Sequence, residues 1–250
     1  VIDLVRAEWI KLRTVAMNWV LVFIAVLFPL AVTLLTSFFR GDEDMDARQL
    51  LEVLTGSSFV PALLLAVIGA ASITSEFGFG TIRVAFAATP RRIRVLVAKA
   101  MVLVVTAVWL QTVVVLMGAL GGKALAESQG SVIDFAEVPT GLPALLGTVA
   151  LAGTMALIGL GLGMLVRSTP FAIAMLILWP LMAEGLIGNL LQLIFDGVDI
   201  VSWMPFRAGF SIAAIESFGG PDRLVAGIYF AAVGLGLCAV GAWSVNRRDA

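Results

Sequence analysis

Residues Glu76–Lys99 read EFGFGTIRVAFAATPRRIRVLVAK and sit between two runs long enough to cross a bilayer. The stretch carries Arg83, Arg91, Arg92, Arg94 and Lys99 against one acid, Glu76. A basic, polar connection between two spans lies at a membrane surface, and its Lys and Arg excess assigns that surface to the cytoplasm. Gly78 and Gly80 permit a sharp exit from the preceding span. Thr81 can cap a short helix with Ile82, Ala85, Phe86 and Thr89 on one face, and Pro90 ends it. A loop that only sets topology explains the arginines but not the capped helix. The segment therefore reads as a platform for a cytoplasmic partner.

Outward from this stretch, composition defines the class. Of the 250 residues, 60% are hydrophobic and 13% charged, and the mean hydropathy is +1.05. Soluble domains run at about 45–50% apolar and about 25% charged. We read six spans: Asn18–Phe39, Ser57–Ser75, Lys99–Leu120, Leu142–Val166, Pro170–Ile187 and Leu224–Trp243. A helix needs about 20 residues to cross the hydrocarbon core, so the fifth is short. The first run has no small-residue cleavage pattern at its end and is expected to stay as an anchor.

Charge placement orients the spans. The N-terminal segment, residues 76–99, Arg167 and the C-terminal Arg247 and Arg248 hold eleven of sixteen basic residues and four acids. The alternate connections hold five basic residues and twelve acids, including GDEDMD at Gly41–Asp46. That is +7 against −7, with Glu184 assigned to neither side. Both termini are expected in the cytoplasm.

Residues 1–16 read as an interfacial helix. Ile2, Val5, Trp9 and Leu12 recur at helical spacing, with Trp9, Lys11 and Arg13 as anchors at headgroup depth. Residues 188–223 are too apolar for a solvated loop. LLQLIF (Leu190–Phe195) and PFRAGFSIAAI (Pro205–Ile215) are expected as two short helices on or in the outer leaflet.

Several chemistries are disfavoured. These residues include no His, which removes the usual neutral-pH proton relay and the commonest zinc ligand. Cys238, alone in an apolar run, reads as a packed thiol. The nearest match to a phosphate-binding loop, Gly121-Gly122-Lys123-Ala124, lacks the leading glycine spacing and the hydroxyl residue. The chain is not expected to hydrolyse ATP or to hold a metal or cofactor. Gly159, Gly161 and Gly163 lie inside the fourth span and read as helix packing rather than a dinucleotide loop. Trp179-Pro180 is expected to kink the fifth span. Glu184 is the one acid within a span, placed toward its outer end; it reads as a structural anchor, with Arg207 as a partner, or as part of a substrate path.

The order of these motifs resembles the type-2 ATP-binding-cassette exporter permeases. Glu76, Gly80-Thr81-Ile82, Thr89-Pro90, Arg94 and Lys99 look like that family's E…GT[LI]…TP…R…K signature, and AEWIKLRT (Ala7–Thr14) resembles the start of its interfacial helix. The six spans and the Pro205-Phe206 pair extend the resemblance over nearly the whole chain. GFG between Glu76 and Thr81 departs from the more polar approach expected there.

The resemblance implies an all-α, polytopic membrane protein, a single permease domain over 1–250 with a coupling segment at 76–98. It implies a non-catalytic subunit of a bacterial cytoplasmic-membrane exporter, paired with a second permease copy or paralogue and with a separate ATPase that supplies ATP and magnesium. Nucleic acid is not an expected partner. Glu76, Gly80, Thr81, Ile82, Arg83, Phe86, Pro90 and Arg94 would couple to the ATPase. Few charges in the spans suit a hydrophobic or amphipathic cargo, and Phe23, Trp109, Met175 and Glu184 are candidate pathway residues. The alternatives are an ion-coupled secondary transporter or a membrane-embedded lipid-modifying enzyme.

Overall fold

Long apolar runs leave the backbone no partner but itself, which selects helices. The structure, a computed structural model, describes residues 2–41, 45–82, 92–195, 199–216 and 219–248. Among these residues every regular element is helical, and six helical segments are long and apolar enough to cross a membrane.

Helix α1 (Ile2–Thr14) leads into α2 (Ala16–Arg40) through an extended Val15. The last carbonyls of a helix have no partner within it. Asn18 Nδ2 donates to Leu12 O at 2.8 Å and Trp19 Nε1 donates to Arg13 O at 2.6 Å, which fixes the joint. The expected apolar stripe of α1 divides. Leu4, Glu8 and Leu12, spaced by four, face the bundle, while Ile2 and Trp9 stay exposed.

Helix α3 (Ala47–Ser57) and helix α4 (Phe59–Gly78) follow, separated only at Ser58. Asp46 caps α3 by accepting the Gln49 N–H at 2.7 Å. The second span was expected to begin at Ser57. It is extended by α3 because that helix buries Leu50, Leu51 and Leu54, a tertiary gain that hydropathy does not report.

Helix α5 (Arg92–Ser128) has 37 residues. At about 1.5 Å per residue it is roughly 55 Å long, well beyond a hydrocarbon core of about 30 Å. Its far end packs with α3, Met45, Ile133, Val138 and Ile215 into a separate apolar cluster. The described parts of the acidic connections thus contribute to a packed cap.

Helix α6 (Gly141–Val166) is the centre of the bundle. A methyl group at Gly159 would overlap the Ala66 carbonyl of α4, and one at Gly163 would come within 2.8 Å of Ala70 O. On another face, a methyl at Gly161 would lie 2.7 Å from the Leu237 carbonyl carbon of the last helix, α10 (Arg223–Arg248). The glycines let α6 touch two helices backbone to backbone, as the packing reading requires.

The fifth span comprises α7 (Thr169–Leu178), a π-helical turn at Trp179–Ala183 and α8 (Glu184–Ile194). Pro180 brings no N–H, and the helix absorbs the defect by widening into the π turn. Leu190–Ile194, expected as part of a separate external helix, continues this span, and Phe195 is its C-cap. Between it and α10 lie a 3-10 turn, Val201–Trp203, and the short helix α9 (Pro205–Ser211).

The ends of the bundle differ in charge. Arg167, in the left-handed conformation that ends α6 (φ 58°), lies 4.6 Å over the Phe77 ring at the end of α4. Val245 near the end of α10 packs in the same cluster as Ile82 and Val95. Among the described residues, the basic segments thus gather at one end and the acidic connections cap the other.

Candidate functional site

Glu8 and Lys11 lie one turn apart on α1, Ser72 and Glu76 one turn apart on α4, and Lys99 in the second turn of α5. Helical spacing puts each pair on one face, and the bundle brings the three faces together. Lys99 Nζ donates to Glu8 Oε2 at 2.5 Å, to Glu76 Oε1 at 3.1 Å and to Ser72 O at 3.2 Å. An ammonium has three donors, so Lys99 is fully satisfied although its side chain is only 4% exposed. Lys11 Nζ closes the ring, 2.7 Å from Glu8 Oε1 and 2.9 Å from Glu76 Oε1.

Two carboxylates and two ammonium groups make a formally neutral cluster. Burial pushes the Glu8 carboxyl up, but the charges and hydrogen bonds of Lys99 and Lys11 outweigh it and hold Glu8 below the ordinary value. Burial likewise pulls Lys11 down, and the carboxylates of Glu8 and Glu76 raise it overall. The cluster ties α1 to the two helices that flank residues 79–91.

Of the residues expected to couple to a partner, Glu76 points into this cluster, and Ile82 is buried against Val95, Leu96 and Leu103. Gly80 adopts φ +69°, which a residue with a Cβ rarely does, so it terminates α4 as the sequence suggested. Thr81 Oγ1 donates back to Glu76 O at 3.5 Å, closing the end of α4. Arg94 is exposed on the first turn of α5. Arg83, Phe86 and Pro90, and with them the expected short helix, lie outside the described residues.

Trp9 is half-exposed, Arg13 is exposed, and Lys11 spends its charge on the cluster. Phe23 on α2 and Trp109 on α5 are 65% and 63% exposed and point out of the single-chain bundle. Met175 on α7 is half-buried.

Glu184 is buried at the start of α8. Its two oxygens accept the backbone N–H groups of Phe206 at 3.1 Å and Arg207 at 2.8 Å. Glu184 thus anchors the start of α9 through the main chain of Phe206 and Arg207 rather than by an ion pair.

Sequence reading missed Glu8 and gave Lys99 no role. The available signal was an acid spaced four residues from both Leu4 and Leu12. On a face that packs, such an acid needs a buried cation.

Six helical segments of spanning length, with α1 locked to the basic end, make a polytopic helical bundle. The sequence model of the family described as ABC-2 family transporter protein matches residues 4–195, and the chain belongs to that family. No curated protein and no solved structure matches the chain. The match covers α1 through α8 and so includes every member of the charged cluster.

Proposed function

We propose that this chain is the permease subunit of an ATP-driven exporter in a bacterial cytoplasmic membrane. It pairs with a second copy or a paralogue, and both termini are cytoplasmic. A separate ATPase subunit brings ATP and magnesium and docks on the segment between α4 and α5. The cargo is hydrophobic or amphipathic, in keeping with the scarcity of charge in the spans.

The observation that carries this reading is the Glu8–Lys99–Glu76–Lys11 cluster. A docking segment transmits force only if its roots are stiff. Here α4 and α5 enter and leave the segment through one buried charged joint that also holds α1. Movement of the segment therefore carries three helices as a unit. Glu76 and Ile82 support the platform from within, and Arg94 offers the partner an exposed cation.

The test is reconstitution with the cognate ATPase in inverted vesicles. Replacing Thr81-Ile82-Arg83 by Gly-Gly-Ser, or Arg94→Glu alone, should leave membrane insertion intact and abolish stimulated hydrolysis and ATP-dependent uptake. Full stimulation in both variants sinks the docking assignment. Uptake driven by an ion gradient without ATP sinks the energy source.

A further inference from the structure

At the junction of the fifth span and the short elements before α10 lies a cavity of about 280 Å³, close to the roughly 300 Å³ lower end of ligand-sized sites. Pro180, Val201, Met204 and Phe210 supply apolar wall, and Glu184 and Arg207 the two charged groups. The π turn at Trp179–Ala183 offsets Pro180 from the helix above it, and the extended Met204 carries the chain into α9.

The two charges are not equivalent. Glu184 is 4% exposed, and each of its oxygens already accepts a backbone N–H. Arg207 is exposed and its charge is felt by the carboxylates of Glu184 and Asp199, but among the described residues its guanidinium makes no hydrogen bond or ion pair. A guanidinium carries five donors in a planar fork that matches phosphate and carboxylate oxygens. The carboxylate is committed to holding α9 in place, and the guanidinium donors, unused among the described residues, are open to a ligand.

We propose that this cavity binds the head of an anionic amphiphile, with a phosphate or carboxylate on Arg207 and the first carbons of its chain against Met204 and Phe210. Of the two charged groups, the geometry leaves Arg207 rather than Glu184 to face a ligand. The site needs no ATPase, so its test is independent of the proposed function.

The full chain, purified in neutral detergent, is titrated with dodecyl phosphate, dodecyltrimethylammonium and inorganic phosphate, with intrinsic fluorescence as the readout. Dodecyl phosphate should bind at least about tenfold more tightly than either other probe, as expected for a charge-assisted hydrogen-bonded pair. Arg207→Gln keeps the backbone N–H that Glu184 needs and should erase the preference. Met204→Trp fills the cavity and should remove binding while Arg207 remains. Equal binding of the two amphiphiles, an unchanged preference in Arg207→Gln, or inorganic phosphate binding as tightly as dodecyl phosphate overturns the proposal. In nanodiscs of phosphatidylcholine, competition by added phosphatidylglycerol identifies the occupant as a membrane lipid. Undiminished dodecyl phosphate binding there identifies a diffusible amphiphile.

Discussion

Lys99 Nζ and Glu8 Oε2 lie 2.5 Å apart across 91 positions of sequence, with both side chains more than nine-tenths buried. Neither could be buried alone. A lone buried ion carries a penalty of several kcal/mol, which the pair offsets only with its geometry and remaining hydrogen bonds in place. Ser72 O and Glu76 supply those bonds to Lys99, and Lys11 supplies one to Glu8. Helix α1 is therefore held by electrostatics as well as by Leu4 and Leu12.

Removing one member leaves its partners uncompensated. Lys99→Met should destabilise the protein by about 3–5 kcal/mol, read as a fall in melting temperature in detergent. Adding Glu8→Leu to Lys99→Met should recover part of that loss, because Lys11 and Glu76 can still pair. A double variant worse than the sum of the singles would mean that the cluster is not the coupled unit described.

The pH response follows from the signs of the shifts. Glu8 titrates below its ordinary 4.5, so its contribution is complete above that value and disappears as pH falls through the folded-state pKa. Lys11 titrates above its ordinary 10.5, so its contribution is complete below that value and disappears as pH rises past the folded-state pKa. Between these limits Glu8 and Lys11 should contribute no pH dependence. Glu8→Gln should flatten the acid limb of the melting-temperature profile. An acid limb identical to wild type would assign that limb to other carboxylates.

The glycines of α6 and α10 make a matched comparison. Gly159→Ala forces a methyl into the Ala66 carbonyl and should cost about 1–3 kcal/mol, as overpacking does. Gly236→Ala meets nothing within 4 Å and should be neutral or stabilising by up to about 1 kcal/mol through helix propensity. Unfolding of the two variants, measured side by side, checks the backbone contact between α4 and α6. Equal stability would remove it.

Orientation is tested by labelling. In a Cys238→Ser background, Gln129→Cys and Asp222→Cys, both at exposed positions, should react with an impermeant maleimide on intact cells. Arg94→Cys should react only after the membrane is opened. External labelling of Arg94→Cys would invert the topology.

The sequence by itself determined the class of this molecule. Apolar runs of spanning length leave the backbone no choice but helix, and the separation of charge between alternate connections is local information that survives without coordinates. Gly80 and Pro180 were legible for the same reason: a positive φ and a missing N–H act on their own residue. The order of motifs from Ala7 to Lys99 carried the family, which the match over residues 4–195 bears out. Tertiary structure decided the rest. That α3 joins the second span, that α5 projects into an apolar cap and that Leu190–Ile194 prolongs the fifth helix depend on which surfaces are buried against neighbours. Glu8, Glu76 and Lys99 become one site only when three helices converge, because the free energy of a buried charge depends on its partner, and here two of the partners lie 91 residues apart.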